Sequence, residues 1–218
     1  MPQQSRPYSV SQTQPHWASV AKSYFWFKFF GVSGFIALFF IFYFYLLRNP
    51  AYPVVVIPVL ALDDLVKFQP IGFPIYVSLW LYVSLPVMLM STRREIVGYG
   101  GWIGGLCAVA LLIFYFYPNA VPPAHIDWSA YPAIDFLKNI DASGNACPSL
   151  HVGTAVFTAI WLHHQLGKVQ IFRFAKPLNL LWCLAIAYST LATKQHVVVD
   201  LIAGAALGAI IAWLSLRK

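Results

Sequence analysis

Six apolar runs, separated by polar or proline-bearing stretches, set the pattern of this chain. They cover about Tyr24–Leu47, Ile71–Met90, Trp102–Tyr117, Leu150–Leu166, Leu178–Ala192 and Val197–Leu216. A hydrocarbon core of roughly 30 Å takes about 20 residues of helix. The first run meets that length, and several of the others are shorter. Short spans that pack against neighbours are common, so the pattern predicts an all-α, polytopic membrane protein with six transmembrane helices in a bundle. Before the first run, Met1 to Ala21 is polar and rich in Gln, Ser and Pro, the composition of a flexible tail. It holds no short apolar run ending in a small-residue cleavage site, so the first run reads as a retained helix that also directs insertion.

Between the third and fourth runs, about Pro118 to Pro148, lies a segment too long for a simple connector. Pro118, Pro122, Pro123 and Pro132 break helices there, while Trp128 and Tyr131 favour a membrane interface. Pro132 opens a short amphipathic stretch through Ile134, Phe136, Leu137 and Ile140. A short interfacial helix in the outer loop before helix 4 is therefore expected. In the last run Gly204 and Gly208 form a small-xxx-small spacing, joined by Ala205, Ala206 and Ala209. Such spacing lets a helix approach a neighbour closely.

Composition agrees with a lipid environment: 60% of the residues are hydrophobic and 10% charged, where soluble domains carry about 25% charged residues. The net charge of +7 is spread singly or in pairs between apolar runs, which excludes a nucleic-acid patch. With six spans one side carries Arg6, Lys22, Lys28, Arg93, Arg94, Lys168, Arg173, Lys176, Arg217 and Lys218, and the other only Arg48, Lys67, Lys138 and Lys194. The bias puts both termini in the cytoplasm, with Asp63, Asp64, Asp127, Asp135 and Asp141 outside. Cys107, Cys147 and Cys183 form neither a disulfide framework nor metal-ligand spacing, and read as small buried hydrophobes.

Two polar clusters fall on the predicted outer face. In Cys147-Pro148-Ser149-Leu150-His151 the long loop enters the fourth helix. Pro148 suits a first helical turn. The unpaired N–H groups of that turn favour an anion, Ser149 adds a hydroxyl, and His151 stands close enough to pass a proton. The second cluster runs from Ser189-Thr190 through Lys194-Gln195-His196 to Asp200. If His196 opens the last helix, Asp200 lies one turn deeper on the same face. A carboxylate on one imidazole nitrogen fixes the tautomer and leaves the other nitrogen free to attack. Lys194 supplies a cation beside it. Taken singly, a His-xxx-Asp pair is mostly a structural hydrogen bond and a Pro-Ser-x-His a helix cap. The two together, on one face, point to catalysis.

These clusters resemble the second and third signature motifs of the type 2 phosphatidic acid phosphatase superfamily, Pro-Ser-Gly-His, and Ser-Arg, five residues, His, three residues, Asp. Here they read Pro148-Ser149-Leu150-His151, and Ser189-Thr190, five residues, His196, three residues, Asp200. Leu150 and the Lys-Gln-His stretch look more like the branch of inositol-phosphorylceramide and sphingomyelin synthases. The resemblance covers about Asp63 to Gly208. It implies that His196 is the nucleophile of a phosphohistidine intermediate, Asp200 its orienting partner and His151 the acid for the leaving oxygen. Ser149, Leu150, Lys194, Ser189, Thr190 and His125 are the candidate phosphate-binding residues. The family requires no metal or other cofactor. The family's first motif, Lys, six residues, Arg-Pro, has no match; its nearest relative is Tyr117-Pro118-Asn119-Ala120-Val121-Pro122-Pro123, and Thr190 replaces the arginine of the third motif.

The expectation is a single membrane catalytic domain over residues 22–218, after a cytoplasmic tail at 1–21. Its activity would be hydrolysis of a phosphomonoester or pyrophosphate of a membrane lipid, such as phosphatidic acid, phosphatidylglycerol phosphate or an isoprenoid phosphate. The site would face the extracytoplasmic side, in keeping with a bacterial inner membrane. Two alternatives stay open: a lipid headgroup phosphotransferase, and a non-catalytic lipid-binding or transport protein on the same scaffold. A zinc site built from His151, His196 and Asp200 lacks the motif spacing of a zinc hydrolase. His163 and His164 read as interface residues, and Asp63 and Asp64 as capping or solvated groups.

Overall fold

The computed structural model describes residues 14–141 and 144–217, without the side chain of Asp141. Arg6, Lys218 and residues 1–13 of the expected tail lie outside the described residues, as does the charge of Asp141. The rest of the tail carries a short helix, α1 (Trp17–Lys22), capped by His16 Nδ1, which accepts the Ala18 N–H. α2 (Phe25–Arg48) follows as one uninterrupted helix of 24 residues. A two-residue strand, β1 (Val55–Val56), and α3 (Ala61–Leu65) then lead to the second apolar run.

That run is not one regular helix. A 3₁₀ turn at Pro70–Gly72 passes into α4 (Phe73–Val77), α5 (Leu79–Tyr82) and α6 (Leu85–Met88). Pro86 brings no N–H to bond the carbonyl a turn earlier, and its ring crowds that carbonyl. Ser78 and Ser84 hydroxyls donate to the carbonyls of Ile75 and Trp80, which bends the backbone further.

α7 (Arg93–Phe116) begins nine residues before the apolar run that announced it. Thr92 accepts the Glu95 N–H, and Glu95 reaches back to the Ser91 N–H, so the helix is capped inside a charged, glycine-rich stretch. β2 (Asn119–Ala120) pairs in parallel with β1, Val55 opposite Asn119. A 3₁₀ turn at Trp128–Ala130 precedes α8 (Pro132–Asp141), the short helix expected to open at Pro132. α9 (Leu150–Leu166), α10 (Ala175–Ala192) and α11 (Val198–Leu216) complete the chain. α10 starts three residues ahead of its apolar run because Pro177 fits within a first turn.

Among the described residues, four segments are long and apolar enough to cross a membrane: α2, Pro70–Met88, α7 and α11. They mark an integral membrane protein. The fourth and fifth of the six expected spans, α9 and α10, have 17 and 18 residues and lie outside that set. They carry the polar residues that the bundle buries, among them His151, Thr158, Gln165, Asn179, Ser189 and Thr190, and these lower their hydropathy.

α9 is the centre of the bundle, packed chiefly on α11 and α10 and also on α7 and α6. Its contact with α11 is backbone on backbone. A Cβ at Gly204 would overlap the Ser149 carbonyl oxygen, and one at Gly208 would overlap that of Gly153. The small-residue spacing of the last helix thus serves α9. α2 is peripheral by contrast. It touches α7 and α6, and only Lys28 is buried along its length.

Candidate active site

The close contact of α9 with α11 brings the two polar clusters together. The Ser149 N–H donates to the Asp200 carbonyl at 3.0 Å, tying the two helix starts. Ser149, fully buried, is the N-cap of α9: its Oγ accepts the Val152 N–H at 3.2 Å. Pro148 precedes this cap, joined to Cys147 by a cis peptide bond, and so lies outside the first turn where its ring was expected. At α11 the helix opens at Val198, two residues beyond His196. His196 therefore stands just ahead of the helix, and Asp200 occupies its first turn.

Asp200 has no solvent exposure, and both of its oxygens are used. Oδ1 accepts the Val197 N–H and Oδ2 accepts His196 Nδ1–H, each at 2.9 Å. One carboxylate thus caps α11 and orients the imidazole. With its proton held on Nδ1, His196 keeps a lone pair on Nε2. The ring retains slight exposure, 11% of its side chain, as a group that must meet a ligand requires.

His151 sits in the first turn of α9, stacked on the Tyr76 ring with centroids 3.9 Å apart and planes 14° from parallel. Its Nε2–H donates to the Tyr76 carbonyl at 2.9 Å. The irregular α4–α6 segment thereby holds the ring, and Nδ1 is left as the atom able to carry a transferable proton.

Both histidines line one cavity of about 890 Å³. Its walls are α2, α4–α6 and α7, mostly Phe, Val, Ile and Gly, and it continues toward Lys28 near the start of α2. From Phe27 to Phe44 the lining follows α2 over 18 residues, a rise of about 25 Å at 1.5 Å per residue. Leu137 and Ile140 of α8 border it, and so do Asn145, Leu150 and Thr154. Tyr43, near the end of α2, donates its hydroxyl to the Gly144 carbonyl at 3.4 Å, which sets the 144–149 loop at the histidine end.

Asn119 organises that loop. Its Oδ1 accepts the N–H groups of Ala146 at 2.8 Å and Cys147 at 2.7 Å, and its Nδ2 donates to the carbonyls of Cys147 and Tyr117. The stretch nearest to the absent first motif thus positions the second motif by hydrogen bonding. Burial, and then the charge of Asp200, raise the Cys147 thiol above its ordinary value, which keeps it protonated.

The other candidates are placed differently. Lys194 has a left-handed backbone, φ 55°, and its ammonium donates to the carbonyls of Asp63 and Val66. Ser189 and Thr190 hydroxyls donate to Ile186 and Ala187 within their own helix. His125 is exposed and is not part of the cavity lining. Leu150, His151 and His196 line the cavity, with Ser149 and Asp200 buried behind them; Lys194, Ser189, Thr190 and His125 are not among its lining residues.

Three residues outside the sequence-derived set hold the site. Asn119 pins the loop. Asp63 caps α11 by accepting the Val198 N–H at 2.8 Å, while its other oxygen accepts the Leu60 N–H. Lys138 of α8 lies over the Trp128 ring and donates to the Lys194 carbonyl at 2.9 Å, so α8 is moored to the segment before His196. The aspartate pair of a loop and a lysine in an amphipathic stretch were visible signals, but their partners are distant in sequence. Among the described residues, no group of three or more His, Cys, Asp and Glu is placed to hold a metal ion.

Comparison with curated proteins and with solved structures gives no match. A protein-family model does match, that of the PAP2 superfamily, over residues 112–218. The matched stretch contains the 144–149 loop, α9, α10 and α11, and with them His151, His196 and Asp200. Over residues 112–218 the chain therefore matches the PAP2 superfamily.

Proposed function

We propose that this chain is an integral membrane lipid phosphatase that releases phosphate from a lipid phosphomonoester or pyrophosphate through a phosphohistidine at His196. The superfamily match points to phosphatase or phosphotransferase chemistry on phosphate esters. The observation that carries the finer reading is the His196–Asp200 pair at the head of a long apolar cavity that His151 also lines.

In this reading the lipid phosphate lies against the first turn of α9, where the N–H groups of Leu150 and His151 have no carbonyl a turn back to bond. His196 Nε2 attacks phosphorus as the bond to the lipid oxygen breaks, and His151 gives that oxygen its proton. Water then attacks the phosphohistidine, returning a proton to His151, and the P–N bond breaks to release phosphate. Asp200 balances the imidazolium charge while the intermediate stands. Protein groups suffice for each step, so neither a metal nor another cofactor is invoked.

All six helical segments cross the bilayer in this proposal, with α8 along the outer interface and both termini cytoplasmic. Several contacts support that path. His16 bridges to Gln170, Lys168 pairs with Glu95, and Lys28 donates to the Val20 and Met88 carbonyls, so the inter-helix turns alternate between two ends. The lysine and arginine bias then assigns the histidine end to the extracytoplasmic side.

A headgroup phosphotransferase is the second reading. It is favoured by Thr190, which bonds to Ala187 where the family motif carries an arginine, and by Lys194, which is engaged with loop carbonyls. The test is phosphate release by purified protein from a panel of lipid phosphates, beside His196→Ala and His151→Ala. Release abolished by both substitutions supports the phosphatase. A new lipid formed only when an acceptor alcohol is present supports the transferase. Full turnover by His196→Ala sinks the histidine mechanism. Lipid-phosphate binding without turnover or a trapped phosphoprotein marks a non-catalytic scaffold.

A further inference from the structure

We infer that Asn145 is a phosphate-binding residue of this site, a neutral donor where, among the described residues, no arginine or lysine side chain lines the histidine end of the cavity. The inference rests on the phosphate chemistry proposed above. Three observations carry it. Asn145 is 7% exposed, and its Nδ2 has no hydrogen-bond partner. It lines the same cavity as His151 and His196. Its backbone has φ 51°, held there by its N–H donating to the Asn119 carbonyl at 2.7 Å and by the Asn119 side chain gripping the next two residues.

A buried carboxamide N–H without an acceptor is costly. A fold that retains such a group has a reason for it, and an ion or ligand that completes the group is one such reason. The ligand that fits is an oxyanion. Nδ2 can only donate, it sits just before the Ser149 cap, and the first turn of α9 beside it offers further N–H groups. The ligand chemistry is a tetrahedral phosphate, whether carried by a lipid or free as the product. The loop is well suited to aim the group. Asparagine tolerates the left-handed conformation better than most residues, and the Asn119 clamp restrains the backbone on its C-terminal side.

Two variants test this in the full chain, purified in detergent. Asn145→Asp keeps the shape and tolerates the backbone, but replaces the donor by an anion. Asn145→Gly keeps the backbone and removes the side chain. Binding of inorganic phosphate is read as the rise in thermal unfolding midpoint with phosphate concentration. Binding of a short-chain lipid phosphate is read by the same shift, alongside kcat and KM. Wild type is expected to bind both ligands. Asn145→Gly should lose about tenfold in affinity for each, and Asn145→Asp more than that, with midpoints unchanged when no phosphate is present.

Wild-type phosphate affinity in either variant overturns the inference. So does a loss confined to the lipid ligand, which would put the contact beyond the phosphate, or a wild type that binds no phosphate. A collapse of both variants without phosphate also overturns it, because Asn145 would then be structural. The two proposals fail separately. Phosphate binding that depends on Asn145 in a protein that hydrolyses nothing sinks the phosphatase alone, and hydrolysis unaffected by either variant sinks the role of Asn145 alone.

Discussion

At the scale of single residues, Asp200 joins architecture to chemistry. One oxygen caps α11 through the Val197 N–H and the other fixes the His196 tautomer. Asp200→Asn separates the two tasks. The amide oxygen can still accept the Val197 N–H, but the amide N–H₂ faces His196 Nδ1 and favours the tautomer with the proton on Nε2. Loss of the lone pair on the attacking nitrogen should lower kcat by on the order of 10²–10⁴, with KM little changed. Steady-state phosphate release, paired with the thermal midpoint to show retained folding, checks it; near-wild-type kcat would remove Asp200 from the mechanism. The residues proposed for catalysis were legible because the spacing within each motif is local: three residues separate His196 from Asp200, and Ser149 sits two before His151. Lys194 was read as a phosphate cation on adjacency alone. Its left-handed backbone directs the side chain to the Asp63 and Val66 carbonyls, 131 and 128 residues away in sequence. Asn145 was passed over for the converse reason, since nothing local says that an asparagine is buried with an open donor.

At the scale of elements, the contact between α9 and α11 determines whether the two motifs meet. Gly153, Gly204 and Gly208 let the backbones touch, and the link from Ser149 N–H to the Asp200 carbonyl depends on that approach. Gly204→Ala places a methyl against the Ser149 carbonyl and forces the helix starts apart. A loss of stability of about 1–3 kcal/mol is expected, with activity falling further than folding because His151 and His196 no longer share one geometry. Gly105→Ala on α7 is the matched control, since a Cβ there meets nothing within 4 Å. Thermal unfolding and phosphate release on the two variants check the contrast, and equal behaviour would refute it. The small-residue spacing was readable as a close packing face, though not which helix it meets. Helix starts were less legible. The Thr92–Glu95 cap extends α7 through glycines that carry no apolar signal, and Pro86 with two back-bonding serines breaks what read as one run into α4, α5 and α6.

At the scale of the molecule, the peripheral position of α2 leaves a groove, and under the proposed function that groove is where a lipid chain would be selected. Only Lys28 of α2 is buried, and the helix meets the body through α7 and α6, so the cavity runs beside it from the histidines toward the far end of the bundle. A lipid with its phosphate at His196 would lay its chain along Phe39, Phe35 and Val32 toward Gly100 and Gly31. Transfer from bilayer to groove brings little hydrophobic gain, because lipid tails are as apolar as the wall, so preference among chains must come from fit. Gly100→Leu fills the far end. A Cβ at Gly100 meets nothing within 4 Å, and leucine is the better helix former, so the fold should hold. Long-chain lipid phosphates should then lose on the order of tenfold in kcat/KM, while short-chain ones that stop before Gly100 keep theirs. The readout is the ratio of kcat/KM for the two chain lengths, which cancels any general loss of active protein. A ratio unchanged from wild type would mean that the chain stays in the bilayer and only the headgroup enters. The groove would then be a packing defect beside α2, and substrate choice would rest on the loop that carries Asn145 and on the first turn of α9.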